Sequence, residues 1–430
     1  MENELCTAID IVKKYGQEHL LNFYDELNVL QKKKLLNQIS LIDFDYINHL
    51  FQNLENPLAI EESRISPMAY KTKSRMSSSE LAMYCSLGED ILYNNELAII
   101  TLAGGQGTRL NCKGPKGSYE IDIPPKKSLF EFTCDKLKDA YIKYKVYLPW
   151  YIMTSPSNDL QTKEFFNERN YFGYPKDRIF FFSQNTIPLI DTNGKIILDN
   201  IYSIKNVSNG NGDLFNCFAS NNLPSLLLKQ NIKWIFVSGI DNIILDIVDP
   251  IFIGLTIYNN SDIASKSIKK DNITSPEWVF ANVDNSPALV NPTHFSTDLL
   301  YSKNADGFYN YNQMNILAHL FRIDAFIDNT KIELPYHMAL KKNPYINDEG
   351  VKVVPTKPNS YKFEKFIFDS FKYAKNFTLL EVDRSQEFAP IKSFTGDATP
   401  ETALNLYLNK ISNYVGRLLA DPTCVRSFLS

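Results

Sequence analysis

The residues of this chain best suited to phosphate chemistry follow a short apolar run, Leu97–Leu102. Three glycines come first, Gly104, Gly105 and Gly107, and two cations come after them, Arg109 and Lys116. Glycines lack the Cβ atoms that would hold a ligand away from the backbone, and they tolerate positive φ. Backbone N–H groups in such a turn can point at an anion, and the two cations add positive charge beside it. The spacing therefore predicts a strand that enters a triphosphate-binding turn.

Two common glycine-rich motifs are excluded by individual residues. The dinucleotide-binding pattern G-x-G-x-x-G requires a third glycine where this chain has Leu110. The P-loop requires Gly-Lys-Ser/Thr in that order, whereas this chain has Lys116, Gly117 and Ser118. The remaining interpretations are a triphosphate site of another kind or a glycine-rich turn without a ligand.

An acidic residue follows a second apolar run of strand length. Asp241 comes after Trp234–Ser238, and Asn242 is the next residue. In open α/β sheets, ligands bind at the carboxyl ends of the strands. A carboxylate there can hold Mg²⁺ against phosphate oxygens, with Mn²⁺ as the alternative ion. The competing interpretation of Asp241 is a helix cap.

Short apolar runs alternate with longer helical or loop segments through the middle of the chain. The runs occupy residues 97–102, 150–154, 179–182 and 234–238. This alternation predicts an α/β fold built on a Rossmann-like, doubly wound sheet that is mixed but mostly parallel. The strands would bring their carboxyl ends, and the residues that follow them, to one edge of the sheet.

The same pass along the sequence predicts three domains. Apolar residues at helical spacing predict a helical N-terminal domain over 1–90. The central nucleotide- and sugar-binding domain is expected over 91–340, and a smaller α+β C-terminal domain over 341–430. Within the last domain, the pattern predicts a helix over Lys362–Asp369 and a helical tail from about residue 400.

Composition and charge exclude several classes of protein. The chain has 430 residues, of which 44% are hydrophobic and 22% charged, and its formal net charge is −4. A nucleic-acid or anionic-membrane binder would carry a basic surface, so neither partner is expected. No apolar run approaches the roughly 18 residues that a membrane span requires. The six cysteines lack metal-ligand spacing and the N-terminus lacks the apolar core of a secretory signal, so we expect a cytoplasmic protein.

The glycine loop resembles the signature of the eukaryotic UDP-sugar pyrophosphorylases. Residues Leu102 to Lys116 fill every position of that signature, L-x2-G-x-G-T-x-[Met/Leu]-x4-P-K. Within the family, the Ala103-Gly-Gly-Gln and Pro115-Lys-Gly versions of the loop are similar to the UDP-N-acetylglucosamine pyrophosphorylases. Segments from about residue 15 to residue 395 agree in the same order. The resemblance implies a fold of the nucleotidyltransferase type.

The resemblance also implies roles for individual residues. The implied catalytic cations are Arg109, Lys116 and Lys392, and the implied metal ligand is Asp241. The implied UTP- and uridine-binding residues are Leu102, Ala103, Gly104, Gly105, Gln184, Gly210 and Lys362. The implied sugar-phosphate-binding residues are Asn211, Asn291 and Asn312.

The chain departs from the family at the predicted sugar end. Asn291 and Pro292 stand where the family has a Glu-Tyr pair that faces the sugar hydroxyls. Asn312 matches the segment that touches the N-acetyl group, but Gln313 and Met314 replace a small Ala-Gly pair. These larger side chains are expected to shrink the sugar pocket or reshape its loop.

The function implied is that of a UTP:N-acetylglucosamine-1-phosphate uridylyltransferase. Its partners would be UTP and a sugar 1-phosphate, and its products UDP-N-acetylglucosamine and pyrophosphate. Because the attacking phosphate oxygen is already ionised, the reaction needs positioning and charge neutralisation rather than a covalent nucleophile. Two alternatives stay open: altered or relaxed sugar choice, for glucose or galactosamine derivatives, and a catalytically weak regulator that binds UDP-sugars.

Overall fold

The structure, a computed structural model, describes residues 2–54 and 60–420 of the chain. Its α-helices are α1 Glu2–Lys14, α2 Val29–Ser40, α3 Phe44–Gln52, α4 Ser78–Tyr93, α5 Leu129–Tyr144, α6 Asp159–Glu168, α7 Leu214–Ser220, α8 Leu223–Lys229, α9 Pro250–Tyr258, α10 Thr297–Leu300, α11 Ile323–Asn329, α12 Arg384–Glu387 and α13 Pro400–Ala420. Short 3₁₀ helices that bear on the predicted site are Thr108–Leu110, Lys116–Ser118, Asn211–Asp213, Pro292–His294 and Ile367–Tyr373.

The strands are numbered in chain order. They are β1 Ile65–Ser66, β2 Lys71–Thr72, β3 Leu97–Leu102, β4 Glu120–Ile121, β5 Lys127–Ser128, β6 Trp150–Thr154, β7 Ile179–Ser183, β8 Thr186–Pro188, β9 Ile190–Asp191, β10 Leu198–Asn200, β11 Ser203–Ile204, β12 Asn206–Ser208, β13 Trp234–Gly239, β14 Ile263–Lys269, β15 Val279–Val283, β16 Ser286–Val290, β17 Gln313–Arg322, β18 Tyr336–Lys341, β19 Tyr345–Ile346, β20 Lys352–Val353, β21 Ser360–Lys365 and β22 Phe377–Glu381. The four predicted strand runs correspond to β3, β6, β7 and β13.

The main sheet is mixed and mostly parallel, as predicted. Its central path runs in the order β2, β22, β14, β17, β13, β3, β6, β7. The pairs among β13, β3, β6 and β7 are parallel, as are β14 with β22 and β2 with β22, whereas β17 is antiparallel to both of its neighbours. Strands β3 and β6 are buried along their whole length, which explains their continuous apolar sequences.

Packing divides the chain into two compact units that are discontinuous in sequence. The first unit consists of Met1–Ala59, Asn185–Asp213 and Leu334–Phe366. The second consists of Ile60–Gln184, Leu214–Glu333 and Ile367–Ser430. These units differ from the three continuous domains predicted, over 1–90, 91–340 and 341–430, which stay a prediction. They interleave because strands distant in sequence pair within one unit, as β9 does with β21.

The first unit has its own hydrophobic core. Apolar side chains of α1, α2 and α3 pack on residues of the small sheets, including Ile190, Ile204 and Phe363. Phe363 belongs to β21, a strand in which Ser360, Phe363 and Lys365 are buried and the other residues are partly exposed. The predicted helix over Lys362–Asp369 is therefore wrong over its first half. Ser360–Lys365 pairs with β18 and β9, and the helical geometry begins only at Ile367, as a 3₁₀ turn.

The second unit packs its helices tightly against one another and against the main sheet. Helices α4 and α9 approach each other at a glycine of each helix, Gly88 and Gly254. A Cβ on Gly88 would lie 1.9 Å from the Pro250 carbonyl oxygen. A Cβ on Gly254 would lie 1.7 Å from the Tyr84 carbonyl oxygen. This close approach fixes α9, whose first turn is capped by Asp249. The predicted helical tail from about 400 is present as α13.

Candidate functional site

Most of the predicted site residues of the second unit follow or precede strands at one edge of the main sheet. Seven strands on the central path, β2, β22, β14, β13, β3, β6 and β7, run in the same direction and end at this edge, while β17 begins there. The glycine loop follows β3, Gln184 follows β7, Asp241 follows β13, Asn312 precedes β17, and Lys392 lies in the segment after β22. The carboxyl edge of a parallel sheet is the usual ligand-binding position of such folds.

The glycine loop is held in place by hydrogen bonds at both of its ends. The Asn158 side-chain amide donates to the carbonyl oxygens of Ala103, at 2.9 Å, and Gly105, at 3.2 Å. The Lys116 N–H donates to the Gly105 carbonyl at 3.1 Å. Asn158 is 1% exposed and follows β6. Sequence reasoning missed this residue, although an Asn in the turn Ser155–Asn158 after a predicted strand was a signal for it.

The three glycines of the loop serve different purposes. A Cβ on Gly104 would lie 2.0 Å from Nε2 of the buried Gln184 side chain, and one on Gly107 would lie 2.3 Å from Cβ of Cys112. No protein atom lies within 4 Å of the Cβ position of Gly105. None of the three has a positive φ, so the turn does not use the left-handed backbone that glycine tolerates. Gly104 and Gly107 are required by packing, and only Gly105 faces open space.

Arg109, Lys116, Lys392 and Asp241 form a charged cluster at this edge. Lys116 Nζ lies 3.6 Å from Asp241 Oδ2. Burial lowers the pKa of the Lys116 ammonium group; Asp241 opposes this shift, and the nearby positive charges of Arg109 and Lys392 add to it. Lys116 therefore has one carboxylate and two further cations near it. Such an excess of positive charge is suited to a polyphosphate.

Lys392 reaches the cluster through a chain segment fastened to the end of β13. The Ile391 N–H donates to the Asp241 carbonyl at 3.0 Å, and Asn242 and Pro390 form an antiparallel bridge. The next N–H, that of Lys392, donates to the Ala398 carbonyl at 2.8 Å. The Lys392 side chain itself is exposed. The structure thus brings together Lys116, Asp241 and Lys392, which are widely separated in sequence.

Asn312 lines a cavity of about 390 Å³, within the size range of small-molecule sites. Lys270 and Tyr309 are among the other lining residues, and the Lys270 N–H donates to the Asn312 carbonyl at 2.9 Å. A separate cavity of about 400 Å³ lies between segments 67–76 and 304–310 and contains none of the predicted site residues.

The two residues expected to fill the sugar pocket are turned into the sheet. The Gln313 side chain is 2% exposed; it accepts from the Ser267 hydroxyl at 2.8 Å and donates to Glu381 at 2.7 Å. Met314 is buried in the main core. Neither side chain lines the cavity beside Asn312. The larger residues at these positions consequently leave that cavity open.

Asn291 has a local role in the structure. Its side-chain oxygen accepts from the Thr293 N–H at 3.1 Å and from the Thr293 hydroxyl at 3.0 Å, which caps the 3₁₀ helix that begins at Pro292. Asn291 does not line the cavity beside Asn312. Its predicted contact with the sugar phosphate stays a prediction.

Three further predicted ligands, Gly210, Asn211 and Lys362, belong to the first unit. Gly210 has a φ of +89°, and a Cβ there would lie 2.4 Å from the Lys365 carbonyl oxygen, so this position requires glycine. Asn211 begins the 3₁₀ helix that follows. Lys362 Nζ lies 2.7 Å from Glu364 Oε1 on the same strand. Their roles toward UTP and the sugar phosphate stay predictions.

Within residues 2–54 and 60–420, one group of carboxylates is close enough to suggest a metal site, and it does not include Asp241. Oxygen atoms of Asp246, Asp249 and Glu387 lie within 4.8 Å of one another. However, the buried Lys266 ammonium lies 2.9 Å from Asp249 and 2.7 Å from Glu387, and Lys73 lies 2.7 Å from Asp249. The lysines already neutralise these carboxylates, so the group is an internal ion-pair cluster. Asp241 is not part of this group and lies at the carboxyl edge of the main sheet.

Over residues 2–54 and 60–420, no helix combines the length and the apolar sequence needed to cross a membrane.

Comparison with known proteins places the chain in a defined group. The family model for UTP–glucose-1-phosphate uridylyltransferase matches residues 44–413. The UDP-N-acetylglucosamine pyrophosphorylase of Saccharomyces cerevisiae is 33% identical over 417 residues, which cover 91% of this chain and 87% of that protein. The UDP-N-acetylglucosamine diphosphorylase 2 of Arabidopsis thaliana is 30% identical over 430 residues, covering 95% and 84%.

A solved structure agrees with these sequence relatives. The uridine diphosphate N-acetylglucosamine pyrophosphorylase of Trypanosoma brucei, in complex with an inhibitor, superposes with a TM-score of 0.81 and 26% sequence identity. The match covers 98% of this chain and 88% of that one. It confirms the predicted α/β fold.

Proposed function

This chain belongs to the UTP–glucose-1-phosphate uridylyltransferase family, and from that premise we propose that it transfers uridylate from UTP to N-acetylglucosamine 1-phosphate. The products are UDP-N-acetylglucosamine and pyrophosphate. The observation that carries the proposal is the cluster of Arg109, Lys116 and Lys392 around Asp241, at the sheet edge reached by the glycine loop.

The cluster supplies what this reaction requires. A phosphate oxygen of the sugar 1-phosphate attacks the α-phosphorus of UTP, and the bond to the leaving pyrophosphate breaks. Both reactants are anions, so the barrier is lowered by holding them in line and neutralising their charge. Lys116 and Arg109 lie on the loop that would contact the triphosphate, and Lys392 adds a third cation from the far end of the chain.

A divalent cation fits beside Asp241. Nucleotidyltransferases generally use such an ion, and Mg²⁺ is typically held by one or two carboxylates together with substrate phosphates. Asp241 offers one carboxylate to it, at a sheet edge, with Lys116 as its ion-pair partner. We assign the Mg²⁺ site to Asp241, with Mn²⁺ as the alternative ion; the bound ion would neutralise charge on the phosphate oxygens.

The sugar is proposed to occupy the cavity beside Asn312. This side of the sheet edge remains open because Gln313 and Met314 are buried in the sheet. Asn291 does not offer a carboxylate to the sugar hydroxyls, and its side-chain oxygen is used in a local turn. The acetylated sugar would therefore be selected mainly from the Asn312 side. The same departure at Asn291 favours relaxed sugar choice as the second candidate.

The test is pyrophosphate release by the purified protein with UTP and Mg²⁺, with N-acetylglucosamine 1-phosphate and glucose 1-phosphate supplied in parallel. We expect a higher kcat/KM for the acetylated sugar. Similar values for the two sugars would support relaxed choice. Release with neither sugar, together with retained binding of UDP-sugars, would overturn the catalytic assignment in favour of a regulator.

A further inference from the structure

The buried side chain of Asn242 clamps the segment that carries Lys392. Asn242, 8% exposed, donates from Nδ2 to the Glu387 carbonyl at 2.8 Å and accepts at Oδ1 from the Ala389 N–H at 2.9 Å. Both polar groups of the amide are therefore used on one short stretch of backbone. Asn242 follows Asp241 directly, so one dipeptide holds the proposed metal ligand and the clamp.

Backbone hydrogen bonds extend this clamp as far as Lys392. The Ile243 N–H donates to the Ala389 carbonyl at 3.3 Å, and the Ile391 N–H donates to the Asp241 carbonyl at 3.0 Å. Ala389 and Ile391 are 1% and 0% exposed. The residue after Ile391 is Lys392, whose side chain returns to solvent. The position of the Lys392 backbone is thus tied to that of Asp241.

The other end of the segment is anchored by the buried ion-pair cluster. Lys266 is 0% exposed, and its ammonium lies 2.7 Å from Glu387 Oε2 and 2.9 Å from Asp249 Oδ2. Glu387 Oε2 also accepts from the Asp246 N–H at 3.1 Å. A charged hydrogen-bonded pair without solvent fixes Glu387 more rigidly than a surface contact would. The carbonyl that Asn242 binds therefore belongs to an immobilised residue.

We propose that Asn242 is a positioning residue, which sets Lys392 against Asp241 and Lys116 in the geometry that the transfer reaction requires. This inference rests on the proposed function and deepens it. Asn242 need not touch either substrate, because its two hydrogen bonds act on the backbone of residues 387–389. A displacement of about 1 Å at a charge-neutralising group can cost on the order of a hundredfold in rate.

The experiment compares Asn242→Leu and Asn242→Asp with the unaltered protein, in the wild-type and Lys392→Met backgrounds. Leu removes both hydrogen bonds. Asp keeps the oxygen that accepts from the Ala389 N–H, but it places a second oxygen, which cannot donate, against the Glu387 carbonyl. Because Asp has nearly the same shape as Asn, this variant serves as the test if Asn242→Leu does not fold. We expect kcat to fall roughly 10- to 100-fold in the wild-type background, with a much smaller change in the KM for UTP. In the Lys392→Met background, neither substitution should lower kcat further.

A matched control lies at the opposite edge of the same sheet. Asp262, 4% exposed, accepts from the N–H groups of Lys375 and Asn376 at 3.1 and 2.9 Å, just before β22. Asp262→Leu removes a comparable buried clamp, so it should lower stability without lowering the kcat of the folded protein.

Several outcomes would contradict the role of Asn242. If the losses from Asn242→Leu and Lys392→Met multiply, or if Asn242→Leu and Asp262→Leu lower kcat equally, Asn242 is a structural residue only. Unchanged kcat in both Asn242 variants would also overturn the inference. An inactive wild-type protein would instead refute the proposed function, so the two failures are distinguishable.

Discussion

The two adjacent glycines of the glycine loop, Gly104 and Gly105, lie in different surroundings, so the same substitution can be tested at both. Gly104→Ala and Gly105→Ala each add a single methyl group, and neither position has a positive φ, so the backbone accepts alanine at both. The new Cβ at 104 would lie 2.0 Å from Gln184 Nε2 and 3.3 Å from the Thr154 carbonyl oxygen. At 105 it meets no protein atom within 4 Å.

The clash at Gly104 sets the expected magnitude. Gln184 must retreat by more than 1 Å to restore an ordinary contact of roughly 3.4 Å, and it is buried, so the change resembles overpacking at about 1–3 kcal/mol. The unfolding entropy is about 2.1 cal/mol/K per residue, so in a chain of 430 residues each kcal/mol of lost stability lowers Tm by about 1 °C. We therefore expect Gly104→Ala to lower Tm by about 1–3 °C. Loss of one Gln184 hydrogen bond to UTP would raise the KM for UTP roughly tenfold.

Gly105→Ala should behave differently. Its methyl group enters the open space that we assign to the phosphates, so Tm should be unchanged while the KM for UTP rises at least about tenfold. Calorimetry of the protein without substrate gives Tm, and pyrophosphate release against UTP concentration gives KM. If Gly105→Ala leaves the UTP kinetics unchanged, the proposal that the glycine loop binds the phosphates is wrong. An unchanged Tm in Gly104→Ala would refute the described packing of Gln184.

Three further predictions concern charge. Lys116→Met should lower kcat roughly 10²- to 10³-fold. Because burial lowers the pKa of Lys116, this side chain loses its charge at a pH below the ordinary lysine pKa of about 10.4. Titrations of UTP binding to the wild-type protein at increasing pH should therefore show binding weaken before that pH is reached. Burial lowers the pKa of His319 to about 3, so the stability that the neutral imidazole contributes is lost as pH falls from about 6.5 towards 3. In chemical denaturation over this pH range, the free energy of unfolding should fall less steeply in His319→Asn than in the wild type, by at most about 1.4 kcal/mol per pH unit, and equal slopes would contradict this. Lys266→Met removes the fully buried cation of the Asp249–Glu387 group and leaves only the partly exposed Lys73 beside the two carboxylates, so it should lower the free energy of unfolding by about 3–5 kcal/mol. A loss below about 1 kcal/mol would show that Lys266 is dispensable.

Some features were readable from short stretches of sequence. The strands around the site were predicted because a strand buried on both faces must be a continuous apolar run, as in Leu97–Leu102. Arg109 and Lys116 share one loop, so their proximity follows from the chain itself. Helix α13 was recognisable from its helical spacing. By contrast, Ser360–Lys365 has apolar residues that suit either period, and pairing with β18 and β9 made it a strand.

The sequence by itself determined which groups can meet a phosphate: the glycine loop, its two cations and the acidic residue after a buried strand. Tertiary structure decided which of them act together. Lys392 comes near Lys116 and Asp241 because Asn242, the Lys266–Glu387 pair and backbone hydrogen bonds fasten its segment to the end of β13. Tertiary structure also directs the Gln313 side chain into the sheet, and the Asn291 side chain caps a local 3₁₀ helix. The physical reason is that a side chain's hydrogen-bond partners and burial depend on residues distant in sequence, which no local spacing records.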